Sequence, residues 1–163
     1  MFKKVIVVVF FLCCFMPFLW SYDHEPDGFR GIRWGTDISC LEGMEPGPKT
    51  KAPDLTKIYY KMGEIPKIGD AQLEDIQYLF YKGKLWLVDI YASGFDNVAA
   101  LERVVINRFG PADINETNQK WWGGKVTSIT FKFDDEKKRA CLNFYSQEIG
   151  AQVAKDELQK DGF

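Results

Sequence analysis

Nucleophilic catalysis needs a nucleophile, a base within hydrogen-bond reach and a group to hold developing charge. This chain is poorly supplied with the second. Its single histidine, His24, lies in the polar stretch YDHEPDGFR, with no second histidine and no nearby cysteine to complete a metal site. A cysteine enzyme would need Cys40 or Cys141 activated by a neighbouring base or a helix N-terminus. Cys40 does fall near an expected helix start, yet its pattern fits a small semi-buried helix residue. The acid pairs Glu74-Asp75 and Asp134-Asp135 sit where turns are expected, and acids are common there for conformational reasons. Gly123-Gly124 precedes a strand instead of opening a helix, so it is no phosphate loop. These residue types point away from an enzyme, and no cofactor or metal is expected.

The elements that would position any site are two hairpins. In DIQYLFYKGKLWLVDIYA, residues 75–92, two strands meet at Tyr81-Lys82-Gly83-Lys84, where Gly83 can take positive φ. An odd-length loop gathers Ile76, Tyr78, Phe80, Trp86, Val88, Ile90 and Ala92 on one face. Gln77, Leu79, Leu85, Leu87, Asp89 and Tyr91 then take the other. A two-residue loop mixes Asp89 into the apolar set, and a slip of one residue moves every side chain across the sheet. The odd loop is therefore expected. The second hairpin, VTSITFKFDD to RACLNFYS, sets Ile129, Phe131, Phe133, Ala140, Leu142 and Phe144 on its core face. Ser128, Thr130, Lys132, Cys141, Asn143 and Tyr145 take the other face. This is the pattern of an antiparallel sheet with one face on a core.

The first twenty-one residues are read apart from the fold. Lys3 and Lys4 precede an uncharged, mostly apolar run from Val5 to Trp20, the layout of a secretory signal peptide. That run is short for a membrane span, which needs about 20 residues. A periplasmic or secreted protein is expected, tied to a membrane only if this segment is retained. Without the two lysines the balance is 19 basic against 23 acidic residues, a net charge of −4. With no basic block, nucleic acid is not an expected partner. Cys40 and Cys141 are expected to stay unbridged. Cys141 falls on the polar face of its strand, and helices covering the core lie on the opposite side. Sheet layers are roughly 10 Å apart, whereas a bridge needs Cα atoms within about 7 Å.

In chain order, residues 22–30 read as a tether. Thr36 or Asp37 can cap a short helix carrying Ile38, Leu41 and Met44. Leu55 to Met62 reads as a strand. Asp96 or Asn97 caps a helix with Val98, Leu101, Val105 and Phe109 on one face, stopped by Gly110-Pro111. Gln119 to Trp122 reads as a strand, and a last helix follows the second hairpin. The order helix, aromatic strand, hairpin occurs twice, with Tyr59-Tyr60 answering Trp121-Trp122. The expected fold is α+β: an antiparallel sheet with helices on one face, two tandem repeats (about 31–93 and 94–146) and a C-terminal helix. Residues 31–163 would form this single domain.

Gly35-Thr36 at a helix start, Phe109-Gly110-Pro111 at a helix end, Trp121-Trp122 and the turn Phe80-Tyr81-Lys82-Gly83-Lys84-Leu85 resemble one recurring unit. It is that of the SmpA/OmlA-type outer-membrane-assembly lipoproteins and the β-lactamase-inhibitor proteins. The first group carries one unit and the second two in tandem, which is similar to this chain over about residues 31–146. The resemblance implies a non-enzymatic envelope protein that binds other proteins by its sheet face.

The residues themselves point to the same surface. Neighbours in a strand face opposite ways, so one of Tyr59 and Tyr60 must leave the core side, as must one of Trp121 and Trp122. With Leu79, Leu87, Tyr91 and Tyr145, they make the open face more apolar than a solvated sheet requires. Those four, with Trp121 and Trp122, are the candidate partner-binding residues, with an envelope protein as the expected partner. The alternatives are coverage by the last helix or the N-terminal segment, or a small apolar ligand held in a curved sheet.

Overall fold

The computed structural model describes residues 24–48 and 55–160. The expected signal peptide at 1–21 lies outside the described residues. The fold is α+β and the sheet dominates it. Residues 24–33 form a small hairpin of β1 (Gly28–Phe29) and β2 (Ile32–Arg33), turned by Arg30 and Gly31, both at positive φ. A single 3-10 turn follows at Ile38–Cys40, with Asp37 accepting from the Ser39 amide. Then come β3 (Met44–Pro46), β4 (Thr56–Lys61), the short pair β5 (Lys67–Ile68) and β6 (Ala71–Gln72), β7 (Asp75–Tyr81) and β8 (Lys84–Ser93). Helix α1 (Phe95–Phe109) leads to β9 (Ile114–Asn115), β10 (Gln119–Trp122), β11 (Thr127–Asp134), β12 (Arg139–Ser146) and α2 (Gln147–Lys160).

Eight of these strands form one antiparallel sheet in the order β3-β4-β7-β8-β12-β11-β10-β9. The strand order is symmetric about the β8–β12 contact. The second hairpin has its expected register, Phe131 opposite Leu142 and Ile129 opposite Phe144. In the first, Ile76 faces Ile90 and Tyr78 faces Val88, also as expected.

The loop that sets this register is not the expected odd one. Tyr81 pairs with Lys84, so only Lys82 and Gly83 turn the chain, both at positive φ, as a tight primed turn requires. A bulge then restores the register: Phe80 faces Leu85, but Leu79 faces Leu87. The extra residue is Trp86. As a result Leu85 joins the core, fully buried, in the place expected for Trp86, which is half-buried outside it. Binary patterning finds the face of a regular strand and fails at a bulge, where two consecutive residues span one step of the partner.

The core lies between α1 and the sheet. Val98, Leu101, Val105 and Phe109 pack on Ile76, Tyr78, Phe80, Val88, Ile90, Phe131, Leu142 and Phe144. The α1 N-terminus has no side-chain cap. Asn97 instead accepts from the Gln72 amide and donates to the Ser93 carbonyl, tying β6 to β8. At the other end the Gly110 carbonyl accepts the indole N–H of Trp122 at 3.0 Å, so the helix stop and the aromatic strand are in direct contact.

Three expectations are corrected. The first helix is reduced to the 3-10 turn, with Cys40 exposed and Met44 in β3, because the segment is too short to propagate without packing. The tether is part of the fold: Phe29 lies in the core, and Glu25 accepts from the Val126 and Thr127 amides. Finally, α2 contacts side chains on the sheet face opposite α1. Its Gln147 donates to Ser128 Oγ, and a Cβ on Gly150 would sit 3.7 Å from Tyr145 Cδ2. Among the described residues, no helix is long and apolar enough to cross a membrane.

Candidate functional site

The sheet face away from α1 is ordered in rows that follow the strand registers. Leu79, Leu87, Tyr145 and Ser128 face one another across β7, β8, β12 and β11, and Ile58 on β4 faces Leu79. Next come Gln77, Asp89, Asn143, Thr130 and Trp121, the last on β10. The third row is Asp75, Tyr91, Cys141, Lys132 and Gln119.

Helix α2 takes the first row. Its Val153 is buried, Leu79 is 4% exposed, and Asp156 reaches Tyr81 at the hairpin tip. The side-chain bonds from α2 to the sheet, among the described residues, lie at this row or towards that tip. The second and third rows are largely half-buried, with Lys132 and Gln119 exposed and Thr130 more enclosed.

The candidate residues therefore separate. Tyr91 and Trp121 are half-buried on the uncovered rows. Leu87 and Tyr145 are half-buried in the row beneath α2, and Leu79 is buried there. Trp122 is fully buried in the core opposite Ile129 and is the inward member of its pair. Leu79 and Trp122 are thereby corrected as contact residues: neither offers surface to a partner.

Two aromatic rings on this face rest on glycine. A Cβ on Gly123 would lie 2.3 Å from Trp121 Cη2, and one on Gly47 would lie 2.7 Å from Tyr60 Cε2. Neither position has room for a side chain. Each ring is thus laid along its own edge of the sheet, Tyr60 in the first half and Trp121 in the second. Tyr60 is the outward member of the Tyr59-Tyr60 pair, whereas Gly47 was not among the expected residues. Gly123 directly follows its aromatic pair, but Gly47 lies twelve residues before Tyr59 and meets Tyr60 through strand pairing that spacing does not reveal.

The centre of the face is polar. Asp89 Oδ1 accepts from Asn143 Nδ2 at 2.6 Å, and the same amide lies 3.2 Å from Cys141 Sγ. Burial pushes the Asp89 carboxyl above its ordinary range, with Asn143 pulling it partly back. Burial, then the Asp89 charge, push the Cys141 thiol up. Tyr91 is raised chiefly by burial as well. The Arg139 guanidinium stands 4.2 Å over the Tyr91 ring and pairs with Glu74 at 2.7 Å. Burial and Asp75 raise Tyr60. Thiol and phenols are therefore held protonated at neutral pH, as hydrogen-bonding groups and not as nucleophiles.

Both described cysteines are free. Among the described residues no cluster of three histidine, cysteine or acidic side chains could hold a metal ion. No protein-family model matches the chain, no curated protein matches it, and no solved structure matches it.

Proposed function

We propose that this protein is a non-enzymatic, protein-binding module of the cell envelope, exported by its N-terminal segment, that engages a partner protein through the sheet face opposite α1. The observation that carries the reading is the pair of rings seated on glycine, Trp121 over Gly123 and Tyr60 over Gly47, on rows that α2 leaves open. An aromatic side chain already fixed in place loses little entropy on binding, which is the property of an interface anchor. Tyr91, stacked under Arg139, adds a third ring between them. The raised thiol of Cys141 supports the same reading, since a cysteine nucleophile needs a lowered one. The tandem layout, with its resemblance to the inhibitor and assembly proteins named above, is in keeping with a binder.

The test is capture of partners from envelope extract with the wild type and a Tyr91→Ala, Trp121→Ala double variant. Loss of an anchor is expected to weaken binding by about 2 kcal/mol or more, with the melting temperature little changed. Identical partner profiles would remove this face from the function.

A further inference from the structure

The opposite side of the molecule holds a second feature, independent of the protein-binding reading. Between the C-terminal half of α1 and the β1–β2 hairpin lies a cleft of about 850 Å³, inside the roughly 300–1,000 Å³ range of small-molecule sites. Its deep wall includes Phe29 and Phe109, with the half-buried aliphatic side chains of Ile68 and Val104 nearer the mouth.

The rim is basic although the whole chain carries a net charge of −2. Arg30, Arg33, Lys67 and Arg108 line the cleft against two acids, Glu25 and Asp27. Glu25 is committed to the Val126 and Thr127 amides, and Asp27 pairs within the rim with Arg33 at 3.2 Å. Arg30 is held by Glu64 at 2.8 Å and by the carbonyls of Ile65 and Lys67. Lys67 and Arg108 have no acid partner among the described residues, and Arg108 rests 5.5 Å from the Phe109 ring centre.

The cleft is preformed. Arg30 fastens the tip of the hairpin to the 65–67 backbone, while Glu25 and Pro26 fasten its base to β11 through Thr127. A purely apolar ligand would make no use of Lys67 and Arg108, and a small inorganic anion would leave the aliphatic wall wet. A ligand carrying both parts satisfies both.

We propose that this cleft binds an amphipathic carboxylate, its apolar chain against Val104 and Ile68 and its head between Lys67 and Arg108. The guanidinium can take the carboxylate through two parallel hydrogen bonds, with the ammonium as a point charge beside it.

The experiment is calorimetric titration of the protein, as isolated from its host, with decanoate, 1-decanol and acetate. Saturable binding of decanoate is expected, at least tenfold tighter than decanol, with acetate silent. In a Lys67→Ala, Arg108→Ala double variant, decanoate should weaken at least tenfold while decanol is unchanged. Both residues are exposed, so a matching melting curve will show that the fold is kept. Absence of saturable decanoate binding, or equal binding by wild type and variant, would overturn the proposal. Partner capture through Tyr91 and Trp121 is read separately, so either result stands without the other.

Discussion

Tyr81 donates its phenolic hydrogen to Asp156 Oδ2 at 2.6 Å, joining the tip of the first hairpin to the last helix. Lys82 shares the same carboxylate, and Gln152 donates to its other oxygen. One acid thus collects three donors and latches α2 over the first row of the sheet.

The latch is expected to release in acid. Hydrogen bonds from Lys82 and Tyr81 hold the Asp156 carboxyl down at about 2, from an ordinary value of 3.8. The folded-state value is the lower one, so the stabilisation is present above about pH 4 and is lost as pH falls towards 2. Asp37 is lowered to about 2 as well, by Ser39 and Lys84. Glu74 and Asp134 are lowered too, so a global acid melt reports several sites, whereas amide exchange resolved within α2 reports the latch alone. Asp156→Asn should speed exchange in α2 at pH 7 and remove its acid sensitivity. Unchanged α2 exchange would mean that Val153 packing holds the helix without it.

Gly123→Ala should destabilise the protein by about 1–3 kcal/mol, the usual cost of overpacking. The cause is the Trp121 ring 2.3 Å from the new Cβ, since Gly123 itself is not at positive φ. Gly47→Ala should act in a similar way, against Tyr60 at 2.7 Å and Ile58 at 2.9 Å. A double-mutant cycle in denaturant checks this: with Trp121→Ala already present, Gly123→Ala should cost almost nothing. Additive losses would place the penalty in the backbone.

Trp122→Ala is expected to cost about 3–5 kcal/mol, as a fully buried aromatic side chain. Trp121→Ala should cost clearly less, because its ring is only half-buried. Equal losses in chemical denaturation would contradict the inward and outward assignment of the pair.

How far this assignment was legible in the sequence varies along the chain. Alternation in the second hairpin is unbroken, so Phe131, Leu142 and Phe144 could be placed on the core without a structure. Alternation also required one of the two tryptophans to face inward, yet could not say which, because that depends on Trp122 lying opposite Ile129. Trp86 was misplaced for a different reason. A bulge adds one residue without changing the composition on either side, and Leu85 and Trp86 are equally plausible core residues until the pairing is known. Coverage of the far face by the last helix was one of the open alternatives, and pattern alone could not select it, since it rests on contacts such as Tyr81 with Asp156 between distant parts of the chain.

The bulge makes its own prediction. Deleting Trp86 would leave Leu85 opposite Phe80 and Leu87 opposite Leu79 in a regular ladder. The deletion variant should keep its near-native circular dichroism and a cooperative melt. Leu85→Ala, at full length, should lose about 2–5 kcal/mol. Unfolding by the deletion alone would show that the kink of β8, and not its pairing, is what the sheet requires.

Asp89 should cost stability when it is ionised. Burial raises its carboxyl above the unfolded value, so its contribution favours folding below that value and fades as pH rises through the folded one. Asp89→Asn retains an acceptor for Asn143 and should raise stability at pH 7, with the advantage disappearing in acid. Loss of stability at pH 7 would mean that the negative charge is itself required, through Asn143 or Arg139.

The seam between β8 and β12 has a consequence for ancestry. Each is the final strand of its half, and they meet antiparallel, Ala92 beside Ala140 and Val88 beside Phe144. A twofold dimer of a single half would pair its last strand with a copy of itself in this way. Fusion of two such protomers into one chain leaves the old dimer interface as an internal seam and frees the halves to diverge. Here one side of the seam carries a fifteen-residue helix and the other a three-residue turn. Residues 94–160 produced alone would expose the β12 edge, and sedimentation is expected to find them self-paired.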